Sequence, residues 1–446
     1  MSDSNTRSPS DARSAKAARN LFAALAPAIG LRVSISLWDG SRIPLTSEAD
    51  AELTISIASP GVLGSLLRRP TLENLVRQYA LGGIALTGGN ILEFVDALTE
   101  KPSNRARLGA ADIAGLARKA FPLLFARHSS AALEHVFSGD TTGRRESQRK
   151  NKDFIQFHYD LSNDFYALFL DPEMQYSCGY YTDWSNSLEQ SQLDKLEMIC
   201  RKLRLAPGEH LLDIGCGWGG LICYAAQHYG VHAHGVTLSQ RQHDFAVEKL
   251  ERLGLKGRVR VDLIDYADVD GRYDKISSIG MFEHVGLRNF PTYFGTIWRL
   301  LRNRGLLLNH GIASRAKPTR RRARRISAEK KLLHKYIFPG SELSSIGHSL
   351  EAMEHVGFEI HDVEGLREHY ALTARAWCER LSARREEAIA AVGPARYRLW
   401  LAYLAGASHG FHNGSMLIFQ AVATKHEGHG PSGMPPTRRD LFVGEG

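Results

Sequence analysis

A glycine-rich turn at residues 211–220, LLDIGCGWGG, constrains the fold of this chain more than any other feature. An apolar, strand-like run ends near Asp213, and Gly215, Gly217 and Gly219 follow it closely. Glycine lets the backbone turn sharply and approach a ligand, and the start of a following helix offers free N–H groups. The pattern predicts a strand–turn–helix unit that binds a ligand at the end of the strand.

The chain from about residue 150 onwards alternates strands and helices. Its strand-like runs are HLLDIGCG, VHAHGVTLS, RVRVDLIDY, DKISSIGMF and GLLLNHGIA, and the segments between them include the helical FAVEKLERLGL and YFGTIWRLLRN. This alternation predicts an α/β fold with a doubly wound, mostly parallel sheet. Glu283 and His284 follow one such strand, at the end where open α/β sheets bind ligands.

The N-terminal part has a different pattern. Residues 1–20 have no apolar core of the kind that a signal peptide needs, and we expect a disordered tail. Residues 21–140 predict a smaller α+β domain with strands in RVSISLWDG and AELTISIAS and helices in PTLENLVRQYALGG and NILEFVDALTE. The polar residues 141–152 are the predicted linker to a catalytic domain at residues 153–446.

Composition limits the environment and the partners. The five cysteines are scattered and form no CxxC pair, which favours a reducing cytosol over a disulfide framework or a metal site. The longest charge-free stretch, from Leu399 to Thr424, contains SHGFHNGS, so we expect two separate elements and no membrane span. The net charge of +8 favours an anionic partner, either nucleic acid or an anionic membrane.

An arginine-rich segment runs from Ser314 to Lys331. It carries seven basic residues between Arg315 and Arg325 and no acid among them. Two compatible interpretations are a solvated basic face and a dock for phosphate-bearing surfaces.

The glycine turn also decides between cofactors. Gly215, Gly217 and Gly220 satisfy G-x-G-x-x-G, but a dinucleotide fold wants an acid at the end of the next strand, and GVTLSQ has none. The Asp-x-Gly-x-Gly-x-Gly form instead resembles motif I of class I S-adenosylmethionine (SAM) methyltransferases, which are Rossmann-like. Asp265 stands where those enzymes place an acid near the adenine.

The segment after the fourth strand argues against nucleic acid as the partner. Amino methyltransferases of nucleic acids typically carry an Asn/Asp-Pro-Pro-Tyr/Phe motif there, whereas this chain has Met281-Phe282-Glu283-His284.

Residues 153–425 resemble the cyclopropane-fatty-acyl-phospholipid synthase family, which includes the mycolic acid cyclopropane synthases. The motifs that carry the resemblance are FHYDLSNDFY, DPEMQYSCGYY, LLDIGCGWGGL, VTLSQRQ, SIGMFEHVG, KYIFPG, EHYALTARAW and FQAVAT. The N-terminal domain resembles the extra domain of the bacterial phospholipid enzymes, best in PGVLGSLLRRP.

The resemblance implies an activity. These enzymes transfer a methylene from SAM to the cis double bond of unsaturated phospholipid acyl chains, with bound bicarbonate as the base. Relatives can stop at a methyl- or methylene-branched chain, and that alternative stays open. A lipid- or nucleic-acid-binding protein with a degenerate methyltransferase fold is a third hypothesis, which the intact motifs disfavour. Because the implied substrate is buried in a membrane and no span is predicted, we expect a cytoplasmic protein that is peripheral at the inner face of the membrane. A homodimer is usual in this family.

The resemblance also implies site residues. The bicarbonate holders are Cys178 and Ile312 through their backbones, and Glu283, His310 and Tyr370. The SAM residues are Tyr176, Ser177, Asp213, Gly215, Gly217, Gly219, Thr237, Gln242, Asp265 and Tyr266, with no metal. Taken singly, Glu283 could be a salt-bridge or N-cap residue and His310 a satisfied core histidine. Two departures are Ala407, where many members have cysteine, and Asn309, where leucine is usual.

Overall fold

The structure, a computed structural model, describes residues 9–46, 52–100, 109–126, 161–316, 342–428 and 430–442. The chain forms two compact units. The first comprises Met1–Val136, Ile326–Tyr336 and Leu381–His409, and the second comprises Phe137–Arg325, Ile337–Arg380 and Gly410–Gly446. The predicted linker at residues 141–152 and residues 317–331 of the arginine-rich segment lie outside the described residues.

The helices of the described residues are Pro9–Ile29 (α1), Pro60–Arg68 (α2), Leu72–Ala80 (α3), Ile91–Thr99 (α4), Ala110–Leu124 (α5), Asn163–Ala167 (α6), Leu188–Lys202 (α7), Gly220–Tyr229 (α8), Gln240–Arg252 (α9), Phe290–Leu300 (α10), Ile346–Val356 (α11), Arg367–Ala383 (α12), Arg385–Val392 (α13) and Pro394–His412 (α14). The strands are Ser34–Ser36 (β1), Arg42–Pro44 (β2), Thr54–Ile57 (β3), Ile84–Thr87 (β4), His210–Ile214 (β5), His232–Val236 (β6), Val259–Asp262 (β7), Tyr273–Ile279 (β8), Leu301–Ser314 (β9), Phe358–Gly365 (β10) and Met416–Lys425 (β11).

The first unit contains a four-stranded sheet in the order β2-β1-β3-β4. The predicted strands in RVSISLWDG and AELTISIAS are β1 and β3, and they pair in parallel. Its core contains Ile35, Ile57, Phe94 and Leu123, contributed by strands and helices together.

The predicted tail at residues 1–20 differs from the structure. Residues 9–20 belong to helix α1, which runs on into the predicted helical segment LFAALAPAIGL. The stretch ARSAKAARN is rich in alanine and in basic residues that favour helix, and Ala15, Ala18 and Leu21 are buried. Burial of these side chains stabilises the N-terminal end of α1 as a helix, although its polar sequence predicted disorder.

The second unit contains a seven-stranded sheet in the order β10-β11-β9-β8-β5-β6-β7. Strands β5 to β9 pair in parallel, and β11 pairs antiparallel with both β9 and β10. Alternate residues face two separate cores: Leu211 and Leu308 lie in one, Leu212 and Leu307 in the other. Helices cover both faces, so the predicted doubly wound, mostly parallel sheet is confirmed.

The charge-free stretch forms two elements, as predicted. Helix α14 ends at His412, and strand β11 begins at Met416. Among the residues that the structure describes, no helix has the length and apolar character needed to cross a membrane.

Candidate active site

The glycine turn after β5 is built from left-handed backbone. Gly215, Gly217 and Gly219 have φ angles of 79°, 55° and 79°, which side chains with a Cβ rarely adopt. A Cβ added at Gly217 would meet no atom within 4 Å, so the turn borders open space. Helix α8 starts directly after Gly219 and directs its N-terminal N–H groups toward the same end of the sheet.

A cavity lies against this turn at the carboxyl ends of the parallel strands. Of the residues predicted to bind SAM, those that line it are Tyr176, Ser177, Asp213, Gly215, Gly217, Thr237, Gln242 and Tyr266. Gly219 and Asp265 do not line it: Gly219 caps α8, and Asp265 caps a short 3₁₀ helix by accepting the Ala267 N–H at 2.9 Å. Trp218 also lines the cavity. Its indole N–H donates to Asn163 at 2.9 Å.

The polar groups of the cavity suit an amino-acid-bearing nucleoside. Asp213 accepts the Ser277 hydroxyl at 2.7 Å, and burial raises its pKa to about 6. Thr237 donates to Gln242 at 3.0 Å. The residues present therefore fit SAM, which supplies an electrophilic methyl group when bound.

Buried Lys195 positions one wall of the cavity. Its Nζ donates to Gln175 Oε1 at 2.5 Å and to Ser177 Oγ at 2.9 Å. Burial lowers the pKa of Lys195 to about 8, against the opposing effect of the Asp171 charge, so the side chain is largely protonated at pH 7. The ammonium group therefore fixes two side chains that border the cofactor cavity.

A second set of polar groups surrounds Glu283. Glu283 lies in a 3₁₀ turn after β8 and is 5% exposed. Its Oε1 accepts the Ile312 N–H at 2.6 Å, while the buried Oε2 has no partner among the described residues. The Ile312 amide thus contacts Glu283, and the predicted backbone contact of Ile312 with bicarbonate stays a prediction. Neither a salt bridge nor an N-cap accounts for Oε2.

His310 lies two residues before Ile312 on β9, so the two side chains face the same side of the sheet. It is fully buried, and its Nδ1 lies 3.2 Å from Nε2 of Gln420, directly opposite on β11. Its Nε2 is buried without a partner among the described residues. His310 is therefore only half satisfied, unlike an ordinary core histidine.

Burial shifts the pKa of both side chains toward the neutral form. It raises the pKa of Glu283 to about 7. It lowers the pKa of His310 to about 3, with smaller contributions from the charges of Lys195 and Lys202. At neutral pH the imidazole is uncharged, and the carboxyl group is balanced between its two forms.

Cys178, Ile312 and Tyr370 meet in one apolar cluster that also contains Phe411 and Ile418. The ring of Tyr370 lies 4.5 Å from that of Phe411, between centroids. The structure thus brings together all five residues predicted to hold bicarbonate. Three lie in this cluster, and Glu283 joins them by accepting the Ile312 N–H. His310 lies on the same strand as Ile312.

The two departures from the family pattern have simple surroundings. Ala407 lies in α14, and the cysteines elsewhere are all buried, with burial raising the pKa of Cys378 to about 12. Such thiols are poor nucleophiles.

Asn309 pairs with Ser278 across β8 and β9. The Tyr293 hydroxyl contacts both side chains, Asn309 at 3.5 Å and Ser278 at 2.5 Å.

Comparison with known proteins identifies the family. The family model described as mycolic acid cyclopropane synthetase matches residues 146–421. The chain belongs to this family. It is 34% identical to a probable fatty acid methyltransferase of Pseudomonas putida over 432 residues, 95% of this chain and 100% of that protein.

Two further relatives belong to the same comparison, and one of them was solved with the product of the cofactor bound. The cyclopropane-fatty-acyl-phospholipid synthase of Escherichia coli (strain K12) is 38% identical over 268 residues, 60% of this chain and 66% of that protein. The mycolic acid cyclopropane synthase CmaA1, solved in complex with S-adenosylhomocysteine (SAH) and CTAB, matches with a TM-score of 0.58 at 34% identity. The match covers 61% of this chain and 98% of CmaA1. The protein is a SAM-dependent methyltransferase of the cyclopropane synthase family.

Sequence reasoning missed Lys195, Lys202 and Gln420. A signal for the lysines exists: they fall seven residues apart on α7, on the same face as the buried Ile199. A lysine on the apolar face of a helix is rarely buried without a partner. Gln420 stands alone as a polar residue in the apolar run FQAVA, which is a weaker signal.

Proposed function

We propose that the protein adds a methylene group from SAM across the cis double bond of an unsaturated phospholipid acyl chain, with bound bicarbonate as the base. The observation that carries the proposal is the pair of buried atoms Glu283 Oε2 and His310 Nε2, neither of which has a partner among the described residues. Buried polar groups in native proteins are nearly always hydrogen-bonded. A small ion with both a hydroxyl group and anionic oxygens would satisfy both atoms.

The side chains have distinct roles in this proposal. Bicarbonate supplies the base that takes up the proton lost on ring closure. Glu283, held at Oε1 by the Ile312 amide, accepts the hydroxyl proton of the anion at Oε2. Two like charges can lie side by side when they share a proton. His310 binds an anionic oxygen, and the apolar cluster around Tyr370 keeps water from a carbocation on the acyl chain.

A second candidate is a methyl- or methylene-branched product. The relative that aligns with 95% of this chain carries the name fatty acid methyltransferase, which favours this candidate. Both reactions use the same residues, because the fate of the cation depends on the placement of the base and of water.

Product analysis tests the proposal. Purified protein with labelled SAM and vesicles of a cis-monounsaturated phospholipid is expected to yield labelled phospholipid whose NMR spectrum shows the ring methylene protons. Mass alone is insufficient, because a ring and a methylene branch add the same atoms.

Matched vesicles of a saturated phospholipid should stay unlabelled. A branched product from the cis-unsaturated vesicles would establish the second candidate instead. Labelling of free fatty acid but not of phospholipid would contradict the proposed substrate.

Peripheral membrane association is part of the proposal, and helix α5 offers a surface for it. Ile113, Phe121 and Phe125 are 57%, 59% and 71% exposed, and their spacing places them along one side of the helix and its C-terminal cap. Arg118 is exposed on the same helix. Aromatic and aliphatic side chains beside basic ones suit the interface of an anionic bilayer.

Replacing Ile113, Phe121 and Phe125 together with Ser is expected to weaken binding to anionic vesicles at least about tenfold, since burying one such side chain contributes about 1.5 kcal/mol or more. Co-sedimentation at low and high salt measures this. Leu75→Ser/Leu98→Ser, at exposed leucines of α3 and α4, is the matched control and should bind normally. Equal vesicle binding of both variants would show that α5 does not contact the membrane.

Two further expectations stay predictions: the dock in the arginine-rich segment and the homodimer.

A further inference from the structure

His310 stands at the end of a chain of buried polar groups that begins on helix α7. Lys202 Nζ donates to Gln420 Oε1 at 2.6 Å, and the Nε2 of Gln420 lies 3.2 Å from His310 Nδ1. Lys202 and Gln420 are 2% and 0% exposed. Glu364 accepts from Lys202, and it also accepts the Tyr180 hydroxyl.

The chemistry of lysine sets the direction of every bond in this chain. An ammonium group has donors only, so the Gln420 atom that faces Lys202 must be the amide oxygen. The amide nitrogen, also a donor only, then faces His310. Nδ1 of His310 must accept, and in a neutral imidazole the proton is then on Nε2.

We propose that Lys202 and Gln420 are positioning residues that fix the Nε2–H tautomer of His310 and so present a hydrogen-bond donor to the anion bound beside Glu283. The anion rests on the proposed function; the tautomer rests on the Lys202–Gln420–His310 geometry alone. Because His310 donates and Glu283 Oε2 accepts, the pair distinguishes an anionic oxygen from a hydroxyl group. The pair thereby orients a singly protonated, planar oxyanion such as bicarbonate.

The surroundings of His310 keep it neutral. Burial lowers its pKa to about 3, and the charges of Lys195 and Lys202 act in the same direction. An imidazole that stays uncharged neither takes up nor releases a proton during turnover. His310 is thus a fixed donor, and the proton-accepting capacity lies with the anion and Glu283.

The tautomer can be read directly by NMR of protein labelled with ¹⁵N at histidine, in bicarbonate-free buffer and without lipid. His310→Gln identifies the His310 signals by their loss. The wild type is expected to show a neutral imidazole protonated at Nε2. Gln420→Glu places a carboxylate, still paired with Lys202, against Nδ1 and is expected to move the proton to Nδ1. Its kcat should fall about tenfold or more, the scale on which residues that orient a ligand histidine act, with unchanged SAH affinity.

Thr424→Val is the matched control, because Thr424 is a buried polar residue of the same strand that contacts His361 and not His310. It should leave the His310 signals and kcat unchanged. A wild-type His310 protonated at Nδ1 would overturn the proposal even if Gln420→Glu failed to fold. So would a Gln420→Glu enzyme with the wild-type tautomer and kcat. If the product were branched or bicarbonate had no effect, the proposed function would fail while the tautomer result stood.

Discussion

Glu283→Gln is expected to lower kcat by about two orders of magnitude or more, the contribution of a positioned acid–base group. Gln keeps the size of the side chain, and its amide oxygen can still accept the Ile312 N–H. The atom in place of Oε2 is then an amide nitrogen, which only donates. It cannot hold the hydroxyl proton of bicarbonate as a carboxylate does. SAH affinity should stay within about twofold because Glu283 does not line the cofactor cavity. Steady-state kinetics and SAH titration measure the two effects.

The pH dependence provides a second reading of the same variant. Burial raises the pKa of Glu283 from 4.5 to about 7. Because only the ionised form of Glu283 accepts the proton, wild-type kcat/KM should fall steeply below about pH 7. The fall should be shallower in Glu283→Gln, in which only the protonation of bicarbonate itself remains. The raised pKa contributes stability that is present in full below pH 4.5 and lost as pH rises through about 7. The free energy of unfolding should therefore fall across this window more in the wild type than in the variant.

A matched control is Glu197→Gln, which neutralises a carboxylate of the same unit that contacts Arg201, Tyr224 and Tyr229. The kcat of Glu197→Gln should be near normal.

Depleting bicarbonate should slow the wild type strongly and slow Glu283→Gln far less. A Glu283→Gln enzyme with near-normal turnover in bicarbonate-depleted buffer would contradict the role assigned to Glu283.

Much of the catalytic fold was predictable because its strands are long apolar runs with glycines at their ends. Strands β5 to β7 fall within predicted runs, and β8 begins one residue before its run. Strand β9 begins at Leu301, inside the segment YFGTIWRLLRN that was predicted to be helical, because the helix ends at Leu300. Strands β2 and β4 are as short as β1 and β3, but they do not lie in longer alternating runs such as RVSISLWDG and AELTISIAS, so periodicity does not show them. They form by pairing with β1 and β3. The N-terminal end of α1 was missed for a related reason: its stability comes from burial of small residues, which polarity does not reveal.

The positions of candidate site residues were predictable where a motif directly follows a strand, as for Gly215 after β5 and Glu283 after β8. They were not predictable where function depends on contacts between distant segments. Gln420 is 218 residues from Lys202 and 110 from His310, and only the pairing of β9 with β11 brings it opposite the imidazole. The contact of the Ile312 amide with Glu283 likewise depends on how β9 lies beside the turn after β8, which the sequence does not show.

Lys195→Met is expected to lower the free energy of unfolding by about 3 kcal/mol or more and to weaken SAH binding about tenfold. Lys195 is 1% exposed and lies near the carboxylate of Asp171, whose pKa burial raises and the lysine charge lowers. Removing one member of a buried charged group leaves the other uncompensated, which typically costs about 3–5 kcal/mol. Gln175 and Ser177 also lose the ammonium group that holds them at the cavity wall.

Lys275→Met separates the two effects, because Lys275 is also a buried lysine beside a carboxylate, Glu209, but does not border the cavity. Chemical denaturation and SAH titration of both variants are the measurements. Both should lose stability, and only Lys195→Met should lose SAH affinity, because Lys195 and not Lys275 fixes side chains that line the cofactor cavity. Equal losses of SAH affinity would mean that general destabilisation, and not the wall formed by Gln175 and Ser177, controls cofactor binding. Normal SAH affinity in Lys195→Met would show that the wall holds its shape without the ammonium group.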